Sequence, residues 1–446
     1  MKLPLQAPSL SHALQNLTAE AMGRILQNSS PLVGEAYLHW DEVRHRTPPD
    51  GLAREHWWAA IKFARQGMLR PLPLLDKAGQ PFVFGMPEPV LIHLHHIDRD
   101  AAGEIRSVAD AAAKEHQPGY LINSLMEEAI TSSQLEGAAT TRKVAEEMLR
   151  EGRKPRDHGE RMIFNNFVAM QTIRKMRDEA ITPQRILELH RMLTADTLDD
   201  PADAGQLRRS DDIRVVDNRD GTLLHQPPPW QELPERLERL CRFANAPEDA
   251  VPFMHPVLRA ILLHFMIGYD HPFADGNGRT ARALFYWSMA RSHYWLMEFL
   301  SISHFLRRAP AQYVTAYLHT ETDGNDTTYF LLHQLDIIRR AIALLHEYLA
   351  RNIDAQRATE RMLAASPALR ARLNHRQMAL LTHALKHPGE AYRVEGHQRM
   401  HGVVYQTARA DLMTLAELGL LHKSRSGKAF VFTAPADLQG RLAALA

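Results

Sequence analysis

Apolar residues recur three and four positions apart over most of this chain, the spacing of helices with one buried face. Glu160 to Met176 (ERMIFNNFVAMQTIRKM) and Ile181 to Thr194 (ITPQRILELHRMLT) predict amphipathic helices, the second capped by Thr182 with Pro183 at its first position. His255 to Tyr269, Ala281 to Ala290, Ile302 to Leu318 and Thr327 to Ala350 continue the pattern, and residues 351 to 372, charged and alanine-rich, predict a connecting helix. The rhythm breaks in three places. Leu72 to Gly85 predicts a small hairpin around Lys77-Ala78-Gly79. Within Ala204 to Trp230, Ile213 and Val215 alternate with polar positions, Asp217 to Gly221 turns, and Leu223 and Leu224 resume before three prolines, predicting a second hairpin. Near the C-terminus a helix (HRQMALLTHALKH), a turn at Pro388-Gly389 and a helix from Tyr405 to Gly419 lead into strand-like LLHK and KAFVFT, joined by Ser424 to Gly427.

The N-terminal part adds a turn at Pro48 to Gly51 and a helix from Leu52 to Gly67, whose Trp57 and Trp58 read as core. Four segments follow from these patterns: a mostly helical region at 1–110, a short helical segment at 111–155, a helical domain at 156–350 and a C-terminal module at 365–446.

Charge changes the picture little. Lys and Arg number 53 against 52 Asp and Glu, a net charge of +1, which argues against a surface built globally for nucleic acid or acidic membranes. One cysteine, Cys241, excludes an intrachain disulfide and suits a reducing compartment. No apolar run reaches the length of a membrane span or a signal-peptide core, so a soluble, cytoplasmic protein without a membrane partner is expected.

The chemistry concentrates in HPFADGNGRTAR, His271 to Arg282, between two helical patterns. A helix start carries unpaired N–H groups and partial positive charge, so it can hold a phosphate. Gly276 and Gly278 allow close backbone approach, Asn277 can donate from its amide, and Arg279 and Arg282 can neutralise phosphate oxygens. Asp275 is a hard oxygen ligand suited to Mg²⁺ held jointly with phosphate. His271 stands where it can accept a proton from an attacking hydroxyl. Upstream, Glu127 to Gly137 (EEAITSSQLEG) predicts a helix ending at Gly137, with Glu136 in its last turn, where the helix dipole disfavours an acid and invites a cation.

These residues resemble the Fic family, whose signature HPFx(D/E)GNGRxxR is matched at every fixed position of His271 to Arg282. The resemblance implies a mainly α fold: a Fic helical bundle with a β-hairpin flap, an N-terminal helical region and a C-terminal winged helix-turn-helix. It implies protein AMPylation, in which ATP is cleaved between its α- and β-phosphates and AMP passes to a Ser, Thr or Tyr hydroxyl of a target or of the enzyme itself. His271 would be the base and Asp275 would hold Mg²⁺. Gly276, Asn277, Gly278, Arg279 and Thr280 would cradle phosphates, Arg282 would reach the γ-phosphate, and Phe273 would anchor the loop. Tyr313 is either an adenine neighbour or a core residue. Ser132 to Gly137 fits the family's inhibitory motif (S/T)xxxE(G/N), so Ser132 and Glu136 would restrain the site by pairing Glu136 with Arg282. Gly205 and Arg208 match the family's GxxR, and Ile213, Val215 and Val216 would form the flap that holds the target's backbone; Val216 departs from the Gly of many relatives.

In the C-terminal module the resemblance to a winged helix would turn Tyr405, Gln406 and Arg409 toward a major groove, and His422, Lys423, Arg425 and Lys428 toward phosphates. The expected partners are a hydroxyl-bearing target protein, DNA through this module, and a second copy of the chain. Two alternatives stand beside the transferase: the same site removing AMP from a modified protein, and a DNA-binding transcriptional regulator that uses the Fic fold only to sense nucleotide. Gly278 favours AMP transfer over phosphate transfer, since relatives that move phosphate carry Lys there.

Overall fold

The structure, a computed structural model, describes residues 3–14, 18–101, 111–217, 219–247, 249–364, 371–386, 390–426, 429–435 and 437–444. It is mainly helical and falls into two compact units. The first joins Met1–Gly103, Glu128–Ala139 and Arg156–Ala341; the second joins Glu104–Glu127, Thr140–Pro155 and Ile342–Ala446. Among the described residues, no helix is long and apolar enough to cross a membrane.

In the first unit, short helices α1 (Leu10–Ala13), α2 (Ala19–Gln27) and α3 (Trp40–Val43) pack with α4 (Arg54–Gln66) around Ile25, Trp40, Trp57 and Trp58. Arg65 lies inside this core with no exposed surface. Its guanidinium stacks 3.5 Å from the Tyr37 ring and donates to Pro31 O at 2.9 Å, Leu38 O at 2.9 Å and the Tyr329 hydroxyl at 2.7 Å. Each of the three guanidinium nitrogens thereby has a partner, which offsets the burial of its charge. The predicted first hairpin is β1 (Arg70–Leu75) paired antiparallel with β2 (Pro81–Phe84). Its tip touches the second half of the unit, where Lys77 N donates to the Tyr269 hydroxyl at 3.1 Å. Helix α5 (Glu88–Ala101) follows.

The long helix α6 (Ala111–Leu135) contributes its end, from Glu128, to this unit; α7 (Arg142–Glu151) belongs to the other. Helices α8 (His158–Lys175), α9 (Pro183–Thr194) and α10 (Leu233–Ala244) surround a central pair, α11 (Pro256–Asp270) and α12 (Asn277–Arg291). Nearly every residue of α11 and α12 is buried, because the pair forms the middle of the core; the polar residues among them, such as Arg279 and Arg282, are buried too. Between α9 and α10 the second hairpin appears as β3 (Val215–Val216) and β4 (Leu223–His225), with Val215 opposite His225 and Val216 opposite Leu223. Ile213 precedes the strand, and Asn218 of the predicted turn lies outside the described residues. Helices α13 (Ile302–Arg308), α14 (Pro310–Thr322) and α15 (Thr328–Ala364) continue the chain, the last running through most of the predicted connecting helix.

In the second unit, α16 (His375–Lys386), β5 (Ala391–Arg393), α17 (Val394–His401), α18 (Tyr405–Glu417), β6 (His422–Ser426), β7 (Ala429–Thr433) and α19 (Leu438–Ala444) enclose Leu381, Leu412, Leu415, Leu420 and Phe432. The sheet is antiparallel in the order β5-β7-β6. Strand β6 runs on through Ser424 to Ser426, where the sequence suggested the connection, because its alternation pairs residue by residue with β7. The Pro388-Gly389 turn, Gly427 and Lys428 lie outside the described residues. Asp411 fastens the helices: its carboxylate accepts from Arg376 Nε at 2.6 Å and Asn374 Nδ2 at 2.7 Å, with His397 Nε2 at 3.2 Å.

Candidate active site

Helix α11 ends on His271 in a left-handed conformation (φ 45°, ψ 57°), its N–H still bonded to Ile267 O. A side chain pays steric strain there, so something must hold it. Arg208, almost fully buried, does so: its Nε donates to His271 O at 3.0 Å and its N–H to Pro272 O at 2.9 Å, while the same guanidinium reaches Ser210 O, Asp211 and Pro228 O. One arginine thus ties the histidine's backbone to both ends of the β3–β4 segment. The imidazole Nδ1 lies 3.2 Å from Gly268 O, which assigns the proton to Nδ1 and leaves Nε2 as the free base. Burial lowers the His271 pKa, so the ring is neutral at neutral pH.

Five residues on, Gly276 (φ 81°) opens α12. A Cβ there would come 2.6 Å from Thr194 Cγ2, so both the dihedral and the space demand glycine. The turn is closed from within. Phe273 N donates to Asn277 Oδ1 at 3.0 Å and Asn277 Nδ2 donates back to Phe273 O at 2.9 Å. Both ends of the Asn277 amide are therefore spent on the loop, and the side chain does not project toward a phosphate. Phe273 is fully buried and stacks on His190 at 3.8 Å between ring centroids. His190 accepts from Gly205 N at Nδ1 (2.9 Å) and meets Asp275 O at Nε2 (2.9 Å), so it is the neutral Nε2–H tautomer; burial takes its pKa down to about 4. Sequence reasoning missed His190, which reads as one more polar position in an amphipathic helix.

Arg279 is buried, donating to Leu193 O at 2.9 Å and to Asp275 Oδ2 at 3.1 Å. It orients Asp275 more than it faces solvent. Thr280 is buried with its N–H bonded to Gly276 O, so it is not brought to the mouth of the turn. What remains for an anion is the backbone: the N–H groups of the first turn of α12, which have no partner within the helix. Asp275 keeps 60% of its side chain exposed and is a single hard oxygen donor; no cluster of three or more metal-ligating side chains occurs among the described residues. One carboxylate suits Mg²⁺ only where a bound phosphate supplies further oxygens.

Arg282 is buried one turn further along. Its Nε donates to Ser132 Oγ at 2.8 Å, and its Nη2 to Ser132 O at 3.1 Å and to Glu136 Oε1 at 2.8 Å. The structure so brings Ser132, Glu136 and Arg282 together across 146 to 150 residues of sequence. Helix α6 stops at Leu135 and Gly137 turns the chain with φ 96°. The Glu136 carboxylate lies directly over α12: a Cβ on Gly278 would be 2.1 Å from Glu136 Oε1.

Tyr313 turns its hydroxyl to His264 Nε2 at 2.7 Å and its ring toward Tyr317 and Phe330, the core half of the alternative read from sequence. On the β3–β4 hairpin, Val216 and Leu223 face one another across the strands and are 41% and 46% exposed. The register of the pair shifts between Val215 and Val216.

The fold and the site define a helical domain built around a glycine-opened turn at the start of α12, with a neutral histidine at its edge. Residues 180–289 match the model of the Fic/DOC family, and this part of the chain is a Fic domain. The chain is similar, at 28% identity over 199 residues, to the protein adenylyltransferase Fic of Drosophila ananassae, a match covering 44% of this chain and 37% of that protein. The protein of the same name from Culex quinquefasciatus is 28% identical over 200 residues, with the same coverage. The chain therefore spans well under half the length of these curated relatives. Among solved structures, a Fic family protein from Desulfovibrio desulfuricans covers 78% of this chain and 97% of its own, with TM-score 0.49 and 17% identity.

Proposed function

We propose that this chain is a protein adenylyltransferase whose nucleotide site is self-restrained by Glu136. The observation that carries the reading is the juxtaposition at the start of α12: a neutral histidine base, a backbone anion nest and an acid seated over it on Arg282. The triphosphate of ATP lies along the first-turn N–H groups, with Arg282 meeting its far end once Glu136 moves away. An extended target segment adds to the exposed edge at Val216 and Leu223, presenting a hydroxyl beside His271. His271 Nε2 takes the hydroxyl proton as its oxygen bonds to the α-phosphorus; the α–β bridging bond breaks and pyrophosphate leaves. Asp275 would hold Mg²⁺, which supplies charge neutralisation on the phosphates when bound. The test is incubation of the full chain with Mg²⁺ and ATP labelled at the α- or the γ-phosphate. Covalent label from the α position alone is expected; label from the γ position would mean phosphate transfer and refute the reading.

A second activity is proposed for the C-terminal module on its own observation. Lys423 and Arg425 of the β6–β7 hairpin and Arg409 of α18 gather within 4.3, 5.1 and 5.9 Å of the Phe430 ring, a concentration of exposed cations. Tyr405 lies exposed at the start of α18. Helix, strand, two helices and a closing hairpin in this order suit a winged helix on DNA. Replacing Lys423 and Arg425 by Glu is expected to weaken retention of the full chain on duplex DNA and to flatten the log–log salt dependence by about 2, one for each phosphate that is no longer neutralised. Unaltered retention and slope would remove this reading.

A further inference from the structure

The inhibitory segment is gripped at two points, and only one of them is the Arg282 pair. Two helical turns before Glu136, Glu128 is almost fully buried. Its carboxylate accepts from the Ser303 hydroxyl, from Ser303 N at 3.1 Å and from the Ser301 hydroxyl at 2.8 Å. Thr131 Oγ1 meets the same Ser301 hydroxyl at 3.1 Å. Glu128, Thr131 and Ser132 stand at i, i+3 and i+4 and so share one face of α6, whose last turn leads into Glu136. That face is polar yet buried up to Ser132, where an apolar stripe would be expected.

Ala129 and Ile130 are buried beside it and supply apolar contact, which is non-directional and tolerates sliding and rotation. Register along the helix axis has to come from the directional pairs. The Arg282 end alone leaves the helix free to pivot about one cation; a second fixed point removes that freedom. Water can replace hydroxyl and backbone partners on release, so a polar grip suits a segment that must let go.

We infer that Glu128 is a positioning residue that sets Glu136 over the helix start through its bonds to Ser301 and Ser303. The inference rests on the reading of Glu136 as the restraint. It is tested in the full chain with Glu128→Ala, Ser303→Ala, Glu136→Gly and the Glu128→Ala/Glu136→Gly double variant. Each is measured for equilibrium ATP binding with Mg²⁺, for covalent α-label, and for thermal midpoint without nucleotide. Glu128→Ala is expected to tighten ATP binding and raise labelling about tenfold, Ser303→Ala less in the same direction, and the double variant no more than Glu136→Gly alone. A lowered midpoint with parental ATP affinity in Glu128→Ala and Ser303→Ala, while Glu136→Gly gains affinity, makes Glu128 merely structural and overturns the inference. If Glu136→Gly itself gains nothing, the reading of Glu136 falls and the inference falls with it. Should Glu128→Ala fail to fold, Ser303→Ala decides: parental binding and labelling there overturn the inference.

Discussion

His271→Ala is expected to lower AMP transfer by about 10²–10⁴-fold, the usual contribution of a general base, and to leave ATP affinity at the parental level. The separation follows from where the side chain makes its bonds. Nδ1 is spent on Gly268 O within the same helix turn, and among the described residues no hydrogen bond joins the imidazole to the first turn of α12. The strained backbone is held through its carbonyl by Arg208 and its N–H by Ile267 O, neither of which needs the ring. Alanine therefore removes the base and leaves both backbone bonds of residue 271 in place. The pH profile of the parental protein adds a second measurement. A base works when neutral, and burial lowers the His271 pKa, so transfer persists above that value and declines as pH falls through it. The acid limb is expected below the ordinary imidazole range near 6.5, and it should vanish from the residual rate of the variant. Equal loss of ATP binding and transfer would make His271 a structural residue.

The helices and both hairpins were legible because their signals are local: caps at Thr182 and Pro183, turns at Lys77-Ala78-Gly79 and Gly221, and a glycine that opens α12. The backbone geometry was legible at Gly276, where a positive φ and the close approach of Thr194 demand glycine. The site was not legible where a polar side chain serves the fold. Asn277, Arg279 and Thr280 look like phosphate ligands in a row, yet their side chains turn into the loop and the core, since a tight turn at a helix start has to satisfy its own polar groups first. Arg65 reads as a solvated helix charge, and its burial depends on Tyr37 and on Tyr329, 264 residues away. His190 is the same case at the site itself: its partners Gly205 and Asp275 are separated from it in sequence, so no spacing announces them. Glu128 belongs with these, an acid in an ordinary-looking helix whose partners lie more than 170 residues on.

Glu136→Gly is expected to raise labelling and ATP affinity by tenfold or more while making the nucleotide-free protein less stable, and the two effects have one cause. The carboxylate sits against the α12 start and on Arg282, the place that the proposed function gives to a phosphate oxygen. Two negative charges about 4 Å apart repel by roughly 4 kcal/mol at an effective dielectric near 20; Glu136 is 26% exposed, so screening reduces this. A remainder of about 1.4 kcal/mol already corresponds to a factor of ten in affinity. Removing the acid also leaves the buried Arg282 with Ser132 as its remaining bonded partner, and losing one charged hydrogen bond costs about 1.5–3 kcal/mol. Thermal unfolding without nucleotide should therefore begin at a lower temperature in the variant. ATP and Mg²⁺ in excess should restore more stability to the variant than to the parent, because stabilisation grows with the logarithm of free ligand concentration over the dissociation constant. A variant as stable as the parent, with ATP affinity and labelling unchanged, would mean that Glu136 rests on Arg282 without competing for it.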